Sequence, residues 1–171
     1  MLEKPDFPDV KIVDCLRTEY RLNVIRVTFL PLGADQNTAV YRVATNHATP
    51  YFVKLRRGVF DDMAVVVPKL LHEQGLKHII APIATRSQQL WTCLDNFNLT
   101  LYPFVDGHNG FQVDLSDHHW VDFGRALKAI HTTTMPPTVT GHIRQEVYSP
   151  RWRELVKGFQ ARIEDTPFSD P

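Results

Sequence analysis

The spacing of apolar and polar positions changes several times along the chain, and each change marks an element boundary. From about Pro8 to Tyr20, the residues Val10, Ile12, Val13, Leu16 and Tyr20 fall on a rough helical stripe, which predicts a short leading helix. Val24–Leu30 is rich in β-branched and aromatic residues and reads as a strand. Turn residues at 31–37 lead to a second strand at Ala39–Ala44, and Asn46–Pro50 turns into a third at Tyr51–Leu55. Two successive hairpins make an antiparallel meander. A helix is expected from about Val59 to Gln74, kinked by Pro68 and closed by Gly75. Two further strands are expected at about Gln88–Leu94 and Leu99–Val105.

Asp106-Gly107-His108-Asn109-Gly110 is the clearest linker, and beyond it the period becomes helical. Ser116 and Asp117 can cap a helix that starts near His118 and ends near Thr132. Trp120, Phe123, Leu127 and Ile130 recur along it at helical spacing, so that face is expected to be buried. Met135-Pro136-Pro137 breaks the pattern, and a last helix runs from about Trp152 to Ile163. The order predicts an α+β fold: a five-stranded antiparallel sheet with one principal helix, then the first helices of a second unit. The boundary falls near Val105, giving residues 1–105 and 106–171. Two helices are too few to close a core, so the second unit is expected to be incomplete.

Composition narrows the class. The 171 residues carry 19 Lys plus Arg against 19 Asp plus Glu. A net charge of zero provides no field for nucleic acid or an anionic membrane, and neither is expected as a partner. No apolar run approaches the roughly 18 residues of a membrane span. The polar start, Met1 to Asp6, does not resemble a secretory signal, and a cytoplasmic protein is expected. Cys15 and Cys93 are far apart and lack metal-type spacing, which fits free thiols in a reducing compartment. His118 and His119 are adjacent and point to different helix faces, so zinc has no support. Arg151, Arg153, Lys157 and Arg162 read as a solvated helix face.

Four features carry candidate chemistry, each with a plainer alternative. The turn Leu32-Gly33-Ala34-Asp35-Gln36-Asn37 could bring backbone N–H groups to phosphate oxygens, or be an ordinary hairpin loop. Lys54 sits mid-strand on the same face as Phe52, where burial calls for an anionic partner; the alternative is an edge strand in solvent. Asp62 could pair with Lys54, although Asp61 and Asp62 also suit the positive end of a helix. The strand Leu99–Val105 exits into a linker and could offer backbone groups to an adenine edge, with Pro103 lacking a donor.

These features occur in the order and at the separations of a protein-kinase-like small lobe. The chain resembles the aminoglycoside and choline kinase-like phosphotransferases, and within them the spectinomycin phosphotransferase type. The resemblance rests on Gly33–Asn37, Tyr51–Leu55, Leu70–Gly75 with Ile79-Ile80, Tyr102–Phe104 with Asn109-Gly110-Phe111, and Tyr148–Glu154. It implies that Lys54 contacts the nucleotide phosphates and that Gly33, Ala34, Asp35 and Asn37 belong to the loop above them. Asp62 matches the acidic helix residue that pairs with the lysine, although relatives carry Glu there. Tyr102, Pro103 and Phe104 match the hinge behind adenine, with Val40 and Leu101 as apolar walls. ATP and Mg²⁺ are the implied cofactors, and a spectinomycin-like or aminoglycoside hydroxyl the implied acceptor.

One family pattern is missing. The His-x-Asp-x-x-x-x-Asn catalytic loop follows none of the chain's histidines, and neither His118-His119-Trp120 nor His142-Ile143-Arg144 provides it. In the family its Asp orients the acceptor hydroxyl, while its Asn and a later Asp hold Mg²⁺. The sequence therefore predicts an inactive fragment of an antibiotic kinase, or alternatively a non-catalytic nucleotide-binding or interaction module derived from one.

Overall fold

A computed structural model describes residues 3–33, 35–46, 49–108, 110, 112–145 and 149–164. The chain starts with helix α1 (Asp9–Tyr20). Three strands follow, β1 (Val24–Leu30), β2 (Thr38–Thr45) and β3 (Tyr51–Arg57). Helix α2 (Met63–Glu73) precedes β4 (Thr92–Leu94) and β5 (Phe97–Pro103). Beyond the linker lie α3 (Asp117–Thr132), the short α4 (Pro137–Thr140) and α5 (Arg151–Glu164). The sheet is five-stranded and antiparallel throughout, in the order β1-β2-β3-β5-β4.

Strand alternation divides this sheet into two faces. On one, Tyr41, Val53 and Leu101 stand side by side in register. Val43, Leu55 and Leu99 extend the patch, and all six are buried in one core with Ile12 and Leu16 of α1. The helix that fills the core is therefore α1, whose stripe selects Ile12 and Leu16 and leaves Val10 in solvent. Val65 and Leu71 of α2 are buried outside that cluster.

Several boundaries differ from the sequence reading, each for a local reason. The helix expected from Val59 begins at Met63, because the Asp61 carboxylate accepts the Met63 N–H at 2.9 Å and fixes the first turn there. Pro68 lies within α2. Gly75 (φ +98°) ends the helix in a Schellman arrangement, its N–H donating to His72 C=O and that of Leu76 to Leu71 C=O. The strand expected from Gln88 is reduced to Thr92–Leu94. Gln88 has φ +62°, and Thr85 ties 85–89 into a turn through Gln89. Asp95 (φ +54°) and Asn96 make the tight turn into β5, which therefore starts and ends two residues earlier than expected.

Ser116 caps α3, and His119 completes a capping box in the place more often held by Glu or Gln. The expectation that Trp120, Phe123, Leu127 and Ile130 face a core fails. No described residue of α3 or α5 is buried, and Trp120 and Phe123 are each 57% exposed. The stripe is present, but Trp120, Phe123 and Leu127 on it stay exposed and only Ile130 is half-buried. No described helix is long and apolar enough to cross a membrane.

Candidate nucleotide cleft

The second face of the sheet carries the site. Cross-strand partners share a face, so the registers place Leu30, Val40, Lys54 and Thr100 in one row and Thr28, Arg42, Phe52 and Tyr102 in the next. Lys54 thus stands on the central strand, between β2 and β5, rather than on an edge. A cleft of about 400 Å³ opens over this face. Its walls are Leu30, Leu32, Phe52, Lys54, Ile80 and the run Tyr102 to Val105.

The cleft is aromatic at one end and cationic at the other. Phe52 meets Tyr102 edge-on, with ring centroids 6.4 Å apart, and meets Phe104 at the same separation. Burial raises the Tyr102 hydroxyl above its ordinary pKa, so it stays protonated. Lys54 makes no ion pair among the described residues.

The hinge backbone is partly committed. Phe104 N–H donates to Pro50 C=O at 3.2 Å, extending the β3–β5 pairing by one bond. In a trans peptide the C=O opposes the N–H, so Pro103 C=O points away from β3. The first donor after Pro103 is therefore already occupied, which leaves Val105 N–H as the next along the chain. Leu101 C=O accepts from Ile83 N–H at 2.8 Å, fastening the opposite edge of β5.

The expected site residues do not all converge. Lys54, Tyr102 and Phe104 line the cleft, and Val40 lies beside Lys54 in register and is buried. Leu101 is a correction: it pairs with Val53, is 1% exposed, and belongs to the core on the other face. Alternation by one residue separates it from Tyr102. The Lys54–Asp62 pair is a second correction. Asp62 Oδ1 instead accepts from the Trp91 indole at 2.7 Å, and Trp91 packs on Phe60 with centroids 4.8 Å apart.

The β1–β2 turn is shaped by Asp35. Its carboxylate accepts from Asn37 N–H at 2.9 Å and Thr38 Oγ1 at 2.8 Å, and lies 3.5 Å from Arg56. Those hydrogen bonds, the Asn37 N–H first, hold its pKa below the ordinary carboxylate value. The Asp35 and Asn37 groups are thus occupied within the turn, with Asn37 C=O accepting from Arg57 N–H at 2.8 Å. Gly33 adopts φ +91° with open space where a Cβ would stand. Ala34 lies outside the described residues.

Phe52 is a wall residue without a role in the sequence reading, although its two-residue spacing from Lys54 is a usable signal. Among the described residues no group of three His, Cys, Asp or Glu side chains could hold a metal ion.

Comparison with solved structures gives this geometry a context. Spectinomycin phosphotransferase bound to ADP and spectinomycin superposes with a TM-score of 0.80 at 32% identity, over 97% of this chain and 50% of that one. The fold is the kinase-like small lobe of the aminoglycoside phosphotransferases. The AMP complex of spectinomycin phosphotransferase gives a TM-score of 0.74 at 31% identity, over 94% of this chain and 49% of that one. An amicoumacin kinase bound to AMP-PNP, Ca²⁺ and its antibiotic shares the fold alone, with a TM-score of 0.58 at 14% identity, over 95% of this chain and 55% of that one. The chain thus spans about half the length of these kinases. No protein-family model matches it, and no curated protein matches it either.

Proposed function

We propose that the cleft binds the adenine nucleotide of an ATP-dependent phosphotransferase whose acceptor is the hydroxyl of a small aminocyclitol or aminoglycoside antibiotic, spectinomycin being the first to test. The observation that carries this reading is the position of Lys54 on the central strand, facing a cleft whose other end is formed by Phe52, Tyr102 and Phe104. A cation without an ion-pair partner among the described residues at one end and aromatic surfaces at the other match a nucleotide's phosphates and purine.

On this reading the Lys54 ammonium donates to the phosphates. Phe52 offers its ring to the purine, and Val40 supplies apolar surface beside it. Pro103 C=O accepts from the adenine amino group and Val105 N–H donates to the ring. Gly33 presents its backbone N–H to the phosphates, while Asp35 keeps the turn in shape. The bound nucleotide supplies the phosphoryl group, and Mg²⁺ would neutralise its charge. Its ligands are expected in a catalytic loop of the family pattern, which this sequence lacks. Residues 1–105 then form the nucleotide-binding lobe, and 106–171 the linker and opening helices of a second lobe. The unburied faces of α3 and α5 support this division.

The same missing pattern favours nucleotide binding without transfer for the chain by itself. Millimolar ATP is expected to raise its melting temperature by mass action, and the Lys54→Ala variant to lose that shift. Incubation with ATP, Mg²⁺ and spectinomycin is expected to yield no phosphorylated antibiotic. A melt that ignores ATP would remove the nucleotide reading. Turnover that disappears with Lys54→Ala would remove the claim that transfer needs residues outside this sequence.

A further inference from the structure

One side chain borders the cleft without lining it and holds one of its walls. Arg42 stands in the row Thr28–Arg42–Phe52–Tyr102, on the cleft face of the sheet. Its guanidinium carbon lies 4.7 Å from the centroid of the Phe104 ring. One terminal nitrogen lies 3.8 Å from Asp106 Oδ1 at the start of the linker. Phe104 therefore meets a cation as well as the Phe52 ring, while its N–H is tied to Pro50. The backbone bond fixes one point of the hinge. The ring contact fixes a second, and two points are needed to set the direction of the Pro103–Val105 segment.

We propose that Arg42, oriented by Asp106, is a positioning residue for the purine end of the cleft. It acts through Phe104 and touches no nucleotide atom itself. A planar guanidinium suits this task because it stacks on an aromatic face while its edge stays within ion-pair range of a carboxylate. Lys54 and Arg42 then divide the work by chemistry: one cation addresses phosphate, and the other addresses the wall beside the purine. This inference rests on the nucleotide reading above.

The test separates purine from phosphate. Calorimetric titration of the 171-residue chain with adenosine and with ATP compares the unaltered protein with Arg42→Met, Arg42→Lys and Asp106→Asn. Arg42→Met is expected to weaken both ligands by the same factor, about three- to fivefold, the scale of one exposed cation–π contact. Arg42→Lys, which keeps the charge but not the stacking plane, should recover only part of that loss, and the melting temperatures of the free proteins should agree. Lys54→Ala serves as the counterpart, weakening ATP while leaving adenosine unchanged.

Equal adenosine affinity in Arg42→Met and the unaltered chain overturns the proposal, and so does a loss confined to ATP, which would make Arg42 a phosphate ligand. If Arg42→Met does not fold, Asp106→Asn decides: a smaller, equal loss for both ligands supports the proposal, and no loss overturns it. Failure of the unaltered chain to bind either ligand overturns the nucleotide reading and this inference with it.

Discussion

At the scale of single residues, the two charged groups expected to act together form no ion pair among the described residues, and their variants should behave differently. Lys54→Ala removes the charge-assisted contact to phosphate and is expected to weaken ATP binding about tenfold or more. Asp62→Ala leaves nucleotide affinity unchanged, because Asp62 serves Trp91, and lowers stability by about 0.5–1 kcal/mol. Titration calorimetry and denaturant melts on the two variants distinguish these outcomes. A second residue-scale prediction concerns Tyr41, whose hydroxyl is buried in the core without a hydrogen-bond partner among the described residues. Burial, and then the charge of Asp9, push this phenol from 10 up to about 12. A raised phenol pKa means that the folded state keeps its proton while the unfolded chain loses it. The associated stability is complete below pH 10 and disappears as the pH rises through about 12. Tyr41→Phe is therefore expected to unfold at a higher pH than the parent, with no loss of stability at neutrality. Circular dichroism followed from pH 8 to 12.5 checks this; an unchanged alkaline midpoint would count against it.

At the scale of elements, the chain's caps and turns set the boundaries that the apolar pattern leaves open. Val24–Leu30 is legible to the residue because four of its seven side chains are β-branched and Phe29 adds an aromatic. The start of α2 was not, since Val59 and Phe60 continue an apolar pattern that the Asp61 side chain overrides locally. The short β4 was obscured for a similar reason: Gln88 is a polar residue whose positive φ has no sequence mark. The site shows the same limits. Lys54, Tyr102 and Phe104, which interrupt or end apolar strands in the sequence, line the cleft. The resemblance implies a cleft wall at Leu101, whereas the alternation of β5 turns it into the core. Gly75 offers a clean test of how firmly a cap holds α2. Nothing lies within 4 Å of where its Cβ would be, so Gly75→Ala carries only the backbone cost of φ +98°. That cost is about 1 kcal/mol, read as a lower denaturant midpoint at constant slope. A loss much larger than this would mean that the turn also holds Ile79 and Ile80 in place beside the cleft.

At the scale of the whole molecule, the sheet with α1 has a closed core, and the helices after the linker do not. Trp152, Leu155, Val156 and Phe159 on α5 are all more than half exposed, as are Trp120 and Phe123 on α3. Apolar surface of this extent drives association, so the isolated chain is expected to self-associate as its concentration rises. A paired substitution, Trp152→Glu with Phe159→Glu, should shift sedimentation toward the monomer while leaving the ATP-induced melting shift intact. Loss of that shift in the paired variant would tie the cleft to the distal helices and contradict the division into two lobes.

The alternation that separates the two faces of the sheet also bears on how the chain avoids misfolding. A slip of β3 by a single residue would exchange Val53 for Lys54 and Leu55 for Arg56 against α1, forcing two cations in among Ile12 and Leu16. Incorrect pairings of the central strand are thereby disfavoured before any ligand is present. The lysine proposed to hold a phosphate thus also proofreads the alignment of the strand that carries it, so replacing it with an apolar residue would relax the fidelity of folding as well as remove a contact.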